Sequence, residues 1–213
     1  HILSELLQNA DDAGATEASV RVEEKSFIFS HNGEDFTEEH FASLCRFGYS
    51  NKRALHTIGF RGIGFKSTFS LGDTVELYTP TLSVSFQRTR FTEPRWLGHS
   101  NKPNGLTYII VAISDDYRQR EVEKNLEEWL KSPVSLLFFK HIRRLRIGGE
   151  DLYWHSLGPG PVADTEWMAL RDEPKNAFLV VRSGSEAFPS DALDEIRQER
   201  LLGTDQDSDF PPC

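Results

Sequence analysis

Three residues near the start of the chain, Glu5, Asn9 and Asp12, are of types that handle water, metal ions and phosphates, and they recur at helical spacing. At about 100° per residue they fall within roughly 60° of one another around a helix. A carboxylate accepts a proton from water, and an amide oxygen suits a hard cation such as Mg²⁺. Ile2, Leu3, Leu6, Leu7, Ala10 and Ala13 fill a neighbouring apolar face that would seat the helix on a core. An ordinary solvated helix face collects the same residue types, so the meaning of the stripe depends on the motifs downstream of it.

The second chemical group is Gly59, Gly62 and Gly64, a G-x-x-G-x-G box completed by Ile63 and Phe65 and running into helix-compatible residues. Glycine lets backbone amides approach a polyphosphate, and a helix directly after it adds unpaired N–H donors. Arg61 and Lys66 bring positive charge to the same anion. The box is not a Walker A loop, because Phe65 separates Gly64 from Lys66. It is not a dinucleotide fingerprint either, since the glycine order is reversed and no βα turn precedes it.

The elements that must position these groups are mixed. A helix carrying the stripe stops at Ala13-Gly14-Ala15-Thr16, and Ser19–Glu24 and Phe27–Ser30 read as two strands joined by a tight turn. His31-Asn32-Gly33 is a turn signal, with Asp35 beyond it as a solvent-facing turn residue, and Thr37 caps a helix from Glu38 to about Cys45. The stretch Phe47–Thr57 has the composition of a mobile loop. Further strands are predicted at Thr74–Thr79, Leu82–Arg88, Leu106–Ile113, Ile142–Ile147, Leu152–Ser156 and Ala177–Arg182, with residues 92–104 as a polar loop. Helices are predicted from about Arg118 to Lys131, stopped by Pro133, and near Ser190–Arg200. Without regular βα alternation, the pattern implies an α+β layered domain.

The chain has 213 residues, 38% hydrophobic and 27% charged, which is enough for one sizeable core. A net charge of −9 and a pI near 5.3 disfavour broad binding to nucleic acid or anionic membranes. The basic run Lys140–Arg146 alternates with apolar residues and reads most simply as a strand with one wet face. Two cysteines, Cys45 and Cys213, make neither a disulfide framework nor a zinc site, which suggests a reducing, cytoplasmic setting. No run is long and apolar enough for a membrane span, and no secretory signal pattern is present. A start at His1, inside a helix, leads us to expect a piece of a longer protein.

Taken in order, E-L-L-Q-N-A-D-D-A, N-G-x-x-F, a loose lid and I-G-F-R-G-I-G-F resemble the GHKL ATPase superfamily. That group includes gyrase, the 90-kDa heat-shock chaperone, histidine kinases and MutL, which share the Bergerat nucleotide-binding fold; the resemblance implies a two-layer α/β sandwich, a mixed, mostly antiparallel sheet covered by helices on one face. The resemblance covers about residues 1–112. The rest is similar, more loosely, to the sacsin-type chaperone-like branch, through Pro133-Val-Ser-Leu-Leu-Phe-Phe139 and the basic strand after it. It implies a core domain over 1–115 with a lid at about 47–66, a continuation over 116–202 on the same domain, and an acidic tail or linker over 203–213. It implies ATP and Mg²⁺ as cofactors, slow hydrolysis coupled to lid closure, and as partners ADP, adjoining domains or a protein client, with a nucleotide-dependent homodimer among the family's habits.

Position by position, the resemblance makes Glu5 the catalytic glutamate that polarises the attacking water and Asn9 the Mg²⁺ ligand. Asp12 becomes a pocket acid near base or ribose, and Gly59, Gly62 and Gly64 the phosphate cradle. Ser50 and Lys52 match a small lid motif, and Thr107 the threonine that helps hold adenine through water. One departure stands out: where the family has an aspartate that accepts a hydrogen bond from the adenine amino group, this chain has His31-Asn32-Gly33. A neutral imidazole or the Asn32 carbonyl could serve as the acceptor, and His31 could equally be an ordinary turn histidine. The competing classes are a nucleotide-responsive module without turnover, a DNA-processing ATPase, a histidine phosphotransferase, and an interaction domain with a vestigial pocket.

Overall fold

The computed structural model describes residues 2–45, 65–98, 105–171 and 177–182, with Lys175 and Pro189. Its elements are α1 (Ile2–Asp12), β1 (Glu17–Glu23), β2 (Ser26–His31), α2 (Glu38–Leu44), β3 (Thr74–Tyr78), β4 (Ser83–Gln87) and β5 (Arg90–Trp96). They continue with β6 (Thr107–Ala112), α3 (Asp116–Lys131), β7 (Arg144–Ile147), β8 (Glu150–Pro159), β9 (Thr165–Leu170) and β10 (Phe178–Val181). Short 3₁₀ helices cover Phe65–Ser70 and Pro133–Phe138.

Local chemistry sets the boundaries. α1 ends in a Schellman motif: Ala15 N–H donates to the Ala10 carbonyl at 2.9 Å and Gly14 N–H to that of Asp11 at 2.9 Å. Gly14 takes the left-handed conformation this needs, with φ at 70°. Glu24 and Lys25, both at positive φ, form the two-residue turn of the β1–β2 hairpin. α3 begins two residues earlier than the charge pattern predicts, because the Asp115 carboxylate accepts the Arg118 N–H at 2.8 Å and caps it.

The ten strands form one open sheet in the order β10-β9-β8-β7-β1-β2-β6-β3-β4-β5. Every neighbouring pair is antiparallel except β1 and β7, which run parallel. One face of the sheet carries Val20, Phe27, Phe29, Val75, Leu77, Phe86, Ile109, Val111, Leu145 and Leu152, all buried. Leu3, Leu6, Leu7 and Ala10 of α1, Phe65 and Phe69 of the first 3₁₀ helix, and Val122 and Leu126 of α3 join the same core. The helices therefore lie on the apolar face, while Ser19, Arg21, Glu76, Ser83, Arg144 and Arg146 alternate onto the other. This is the α+β layering the sequence implies.

Two expectations are corrected. Residues 92–96, expected as loop, belong to the edge strand β5, where the missing N–H of Pro94 interrupts no inner ladder. β9 has no counterpart among the predicted strands; it pairs with β8 across a register shift between Ser156 and Gly158, which breaks the alternation a strand reading depends on. The helix predicted near Ser190–Arg200 falls outside the described residues.

Candidate functional site

α1 divides its residues as its periodicity requires. Leu3, Leu6, Leu7 and Ala10 are buried, while Glu5, Asn9 and Asp12 are half-buried along the neighbouring stripe. Asp11 points into the protein and is 1% exposed. Its carboxylate accepts backbone N–H bonds from Lys140 at 2.9 Å, His141 at 2.7 Å and Ile142 at 2.9 Å. The helix that carries the stripe is thereby fastened to the corner leading into β7. Sequence reasoning missed this residue, although Asp11 sits on the Leu3–Leu7 row of the apolar face, where a charge calls for a buried partner.

The turn after β2 packs against the end of α1. Glu34 N–H donates to the Ala13 carbonyl at 2.8 Å. A Cβ on Gly33 would meet that carbonyl oxygen at 2.8 Å and His31 Nδ1 at 3.0 Å, so only glycine fits. Asn32 faces the start of β1: its Oδ1 accepts N–H bonds from Thr16 and Glu17, both at 2.9 Å, and its Nδ2 donates to Thr16 Oγ1 at 2.8 Å. Both lone pairs of that carbonyl are committed to backbone, which leaves none for the acceptor role expected of it.

His31 is the last strand residue of β2, 7% exposed, rather than part of an open turn. Burial pushes its pKa down to about 4, so the ring is neutral at ordinary pH. Nδ1 accepts the Gly33 N–H at 3.1 Å. Thr107, its partner across the β2–β6 pair, is 1% exposed, and its hydroxyl has no hydrogen-bond partner among the described residues. The end of α1, the 31–33 turn and Thr107 thus converge at one end of the sheet.

Of the glycine box, Phe65 and Lys66 are described. Phe65 is buried edge-on against Phe86, with ring centroids 5.5 Å apart. Burial lowers the Lys66 pKa, and Cys45 acts against that shift. Ser50, Lys52, Gly59, Arg61, Gly62, Ile63 and Gly64 lie outside the described residues. Asp35 is more than a solvent-facing turn residue: it accepts the Thr81 hydroxyl at 2.8 Å and ties its loop to the β3–β4 turn.

Two concavities border the described residues. A groove of about 500 Å³ runs between the start of α1 and α3, past Leu3, Phe27, Leu71 and Val122. A cleft of about 240 Å³ on the open face borders Ser19, Ser30, Arg144 and Arg146 and reaches the turn at His31 and Asn32. There the basic strand does have a wet face: Arg144 at 2.9 Å and Arg146 at 2.9 and 3.1 Å share Asp151, whose pKa those bonds hold well below the usual range. No helix among the described residues is long and apolar enough to cross a membrane.

No family model matches the chain. Part of it, 40%, is similar to human sacsin at 32% identity, and 40% is similar to the Arabidopsis thaliana protein NO VEIN at 33% identity. The chain spans 2% of the length of the first and 3% of the second.

Proposed function

We propose that this chain is a Bergerat-type nucleotide-binding domain that binds Mg·ATP and hydrolyses it slowly, closing its lid to drive conformational change in a larger chaperone-like protein. The observation that carries the reading is the convergence of α1, the 31–33 turn and Thr107, with a hydroxyl buried at their junction that has no partner among the described residues. A buried hydroxyl without a partner costs about 1–3 kcal/mol, a cost that a polar ligand seated there would offset. The motif order in the sequence and the partial similarity to sacsin point the same way.

The donor set fits the ligand. Among the described residues no three His, Cys, Asp or Glu side chains cluster to cage a metal. Mg²⁺ in phosphate sites is held by one or two side chains and by the substrate's own phosphates, so Asn9 with a triphosphate suffices. When bound, the ion would neutralise phosphate charge. Glu5, half-buried on the stripe, would accept the proton of the attacking water, help typically worth about 10²–10⁴ in rate.

Calorimetric titration with Mg·ATP, beside Asn9→Ala, tests the pocket; binding that collapses in the variant is expected, and no heat in either protein overturns the reading. Phosphate release by Glu5→Gln then tests the chemistry. A loss of about 10²-fold or more is expected if Glu5 is the base. An unchanged rate would favour the second reading, a nucleotide-responsive module without productive turnover. The burial of an imidazole where the family has an aspartate supports that alternative.

A further inference from the structure

We propose that His31 determines base specificity in this pocket as a hydrogen-bond donor: it gives its Nε2–H to a ring acceptor on the base, with the Thr107 hydroxyl as companion. Bases would then be selected by an acceptor such as purine N1 or O6 and not by an exocyclic amino group. The inference rests on the nucleotide reading above.

The tautomer is set by the backbone. Nδ1 of His31 accepts the Gly33 N–H, so a neutral ring must carry its hydrogen on Nε2. Gly33 is itself wedged against Ala13, so rotating the ring would leave its N–H without this acceptor. No acceptor for Nε2 is seen among the described residues, and burial keeps the ring from taking a second proton. Thr107, directly opposite on β6, holds a hydroxyl that can donate or accept and, among the described residues, does neither. A ligand satisfying both groups must place an acceptor on His31 and a donor or acceptor beside it on Thr107. Adenine does this through N1 and its amino group, and hypoxanthine through O6 and N1–H. A base edge offering only an amino group would set donor against donor and leave the imidazole N–H unpaired.

The test is a set of calorimetric titrations of the 213-residue chain with the Mg²⁺ salts of ATP, ITP and 1-deaza-ATP. ITP replaces the 6-amino group by a carbonyl; 1-deaza-ATP keeps the amino group and lacks the N1 acceptor. ATP and ITP should bind within about threefold of each other and 1-deaza-ATP about tenfold or more weaker, the scale of one mispaired buried hydrogen bond. ITP tenfold weaker than ATP, with 1-deaza-ATP unimpaired, would make residue 31 an acceptor site and overturn the proposal. Failure of all three to bind would overturn the nucleotide reading itself. Thr107→Val supplies a second arm. It removes the orphaned hydroxyl, so melting of the free protein should hold or rise while affinity for ATP and ITP falls about tenfold. Unchanged affinity would remove Thr107 from the site.

Discussion

Replacing Asp11 should unfold this protein more readily than replacing any member of the neighbouring polar stripe. Its carboxylate is 1% exposed and accepts three backbone N–H bonds, from Lys140, His141 and Ile142. Hydrogen bonds to a charged group contribute roughly 1.5–3 kcal/mol each, so the gross attraction is on the order of 5–9 kcal/mol. Desolvating the carboxylate cancels much of that, and removing one side of such a buried arrangement costs about 3–5 kcal/mol. Against a total stability of about 5–15 kcal/mol, Asp11→Ala stands near the edge of folding.

Asp11→Asn is therefore the quantitative probe. It keeps the volume, offers one acceptor oxygen in place of two, and turns an amide donor toward backbone donors. A loss of about 2–4 kcal/mol is expected, read as a lower urea midpoint at unchanged slope. Amide exchange at Lys140, His141 and Ile142 should rise more than exchange in the β3–β4 hairpin, which this carboxylate does not touch. A loss below about 1 kcal/mol, or exchange that rises evenly, would refute the claim that Asp11 fastens α1 to the β7 corner.

The 31–33 turn sets two further outcomes. Gly33→Ala forces a Cβ to within 2.8 Å of the Ala13 carbonyl oxygen, where backbone must yield, and overpacking of this kind costs about 1–3 kcal/mol in urea unfolding. The unfolded chain takes up a proton on His31 below about pH 6.5 and the folded chain only below about 4. Between those values unfolding binds the proton, so stability is fully present above 6.5 and falls as the pH drops, by up to about 3 kcal/mol. His31→Gln should flatten that part of the stability–pH curve, and parallel curves for the two proteins would contradict it.

Much of the architecture was legible because its elements obey one period at a time. β1, β3 and β4 alternate, α1 keeps an apolar face broken only by Asp11, and Ala13-Gly14-Ala15 ends it as a Schellman motif must. What escaped was set by long-range pairing. β5 contains a proline that argues against a strand everywhere except at a sheet edge, and which strand is the edge is a property of topology. β9 hides behind the shifted register at Ser156 and Gly158.

The site shows a sharper limit. Residue types and spacing singled out Glu5 and Asn9, and the family resemblance pointed to His31 and Thr107, because chemistry-bearing side chains can be recognised by identity. They could not give the polarity of the hydrogen bonds. Asn32 looked like a spare acceptor, yet its oxygen closes two backbone bonds at the start of β1. His31 looked like a substitute acceptor, yet a single N–H from Gly33 fixes the opposite tautomer. That N–H is presented to Nδ1 because Gly33 can lie against Ala13, and Gly33 can do so because the Gly14 turn swings the chain out of α1 there. The donor character of His31 is thus decided by two glycines and a helix cap. An aspartate restored at position 31 could meet the same N–H with one oxygen and keep the other as an acceptor, which the neutral imidazole, with its single acceptor nitrogen already taken, cannot do.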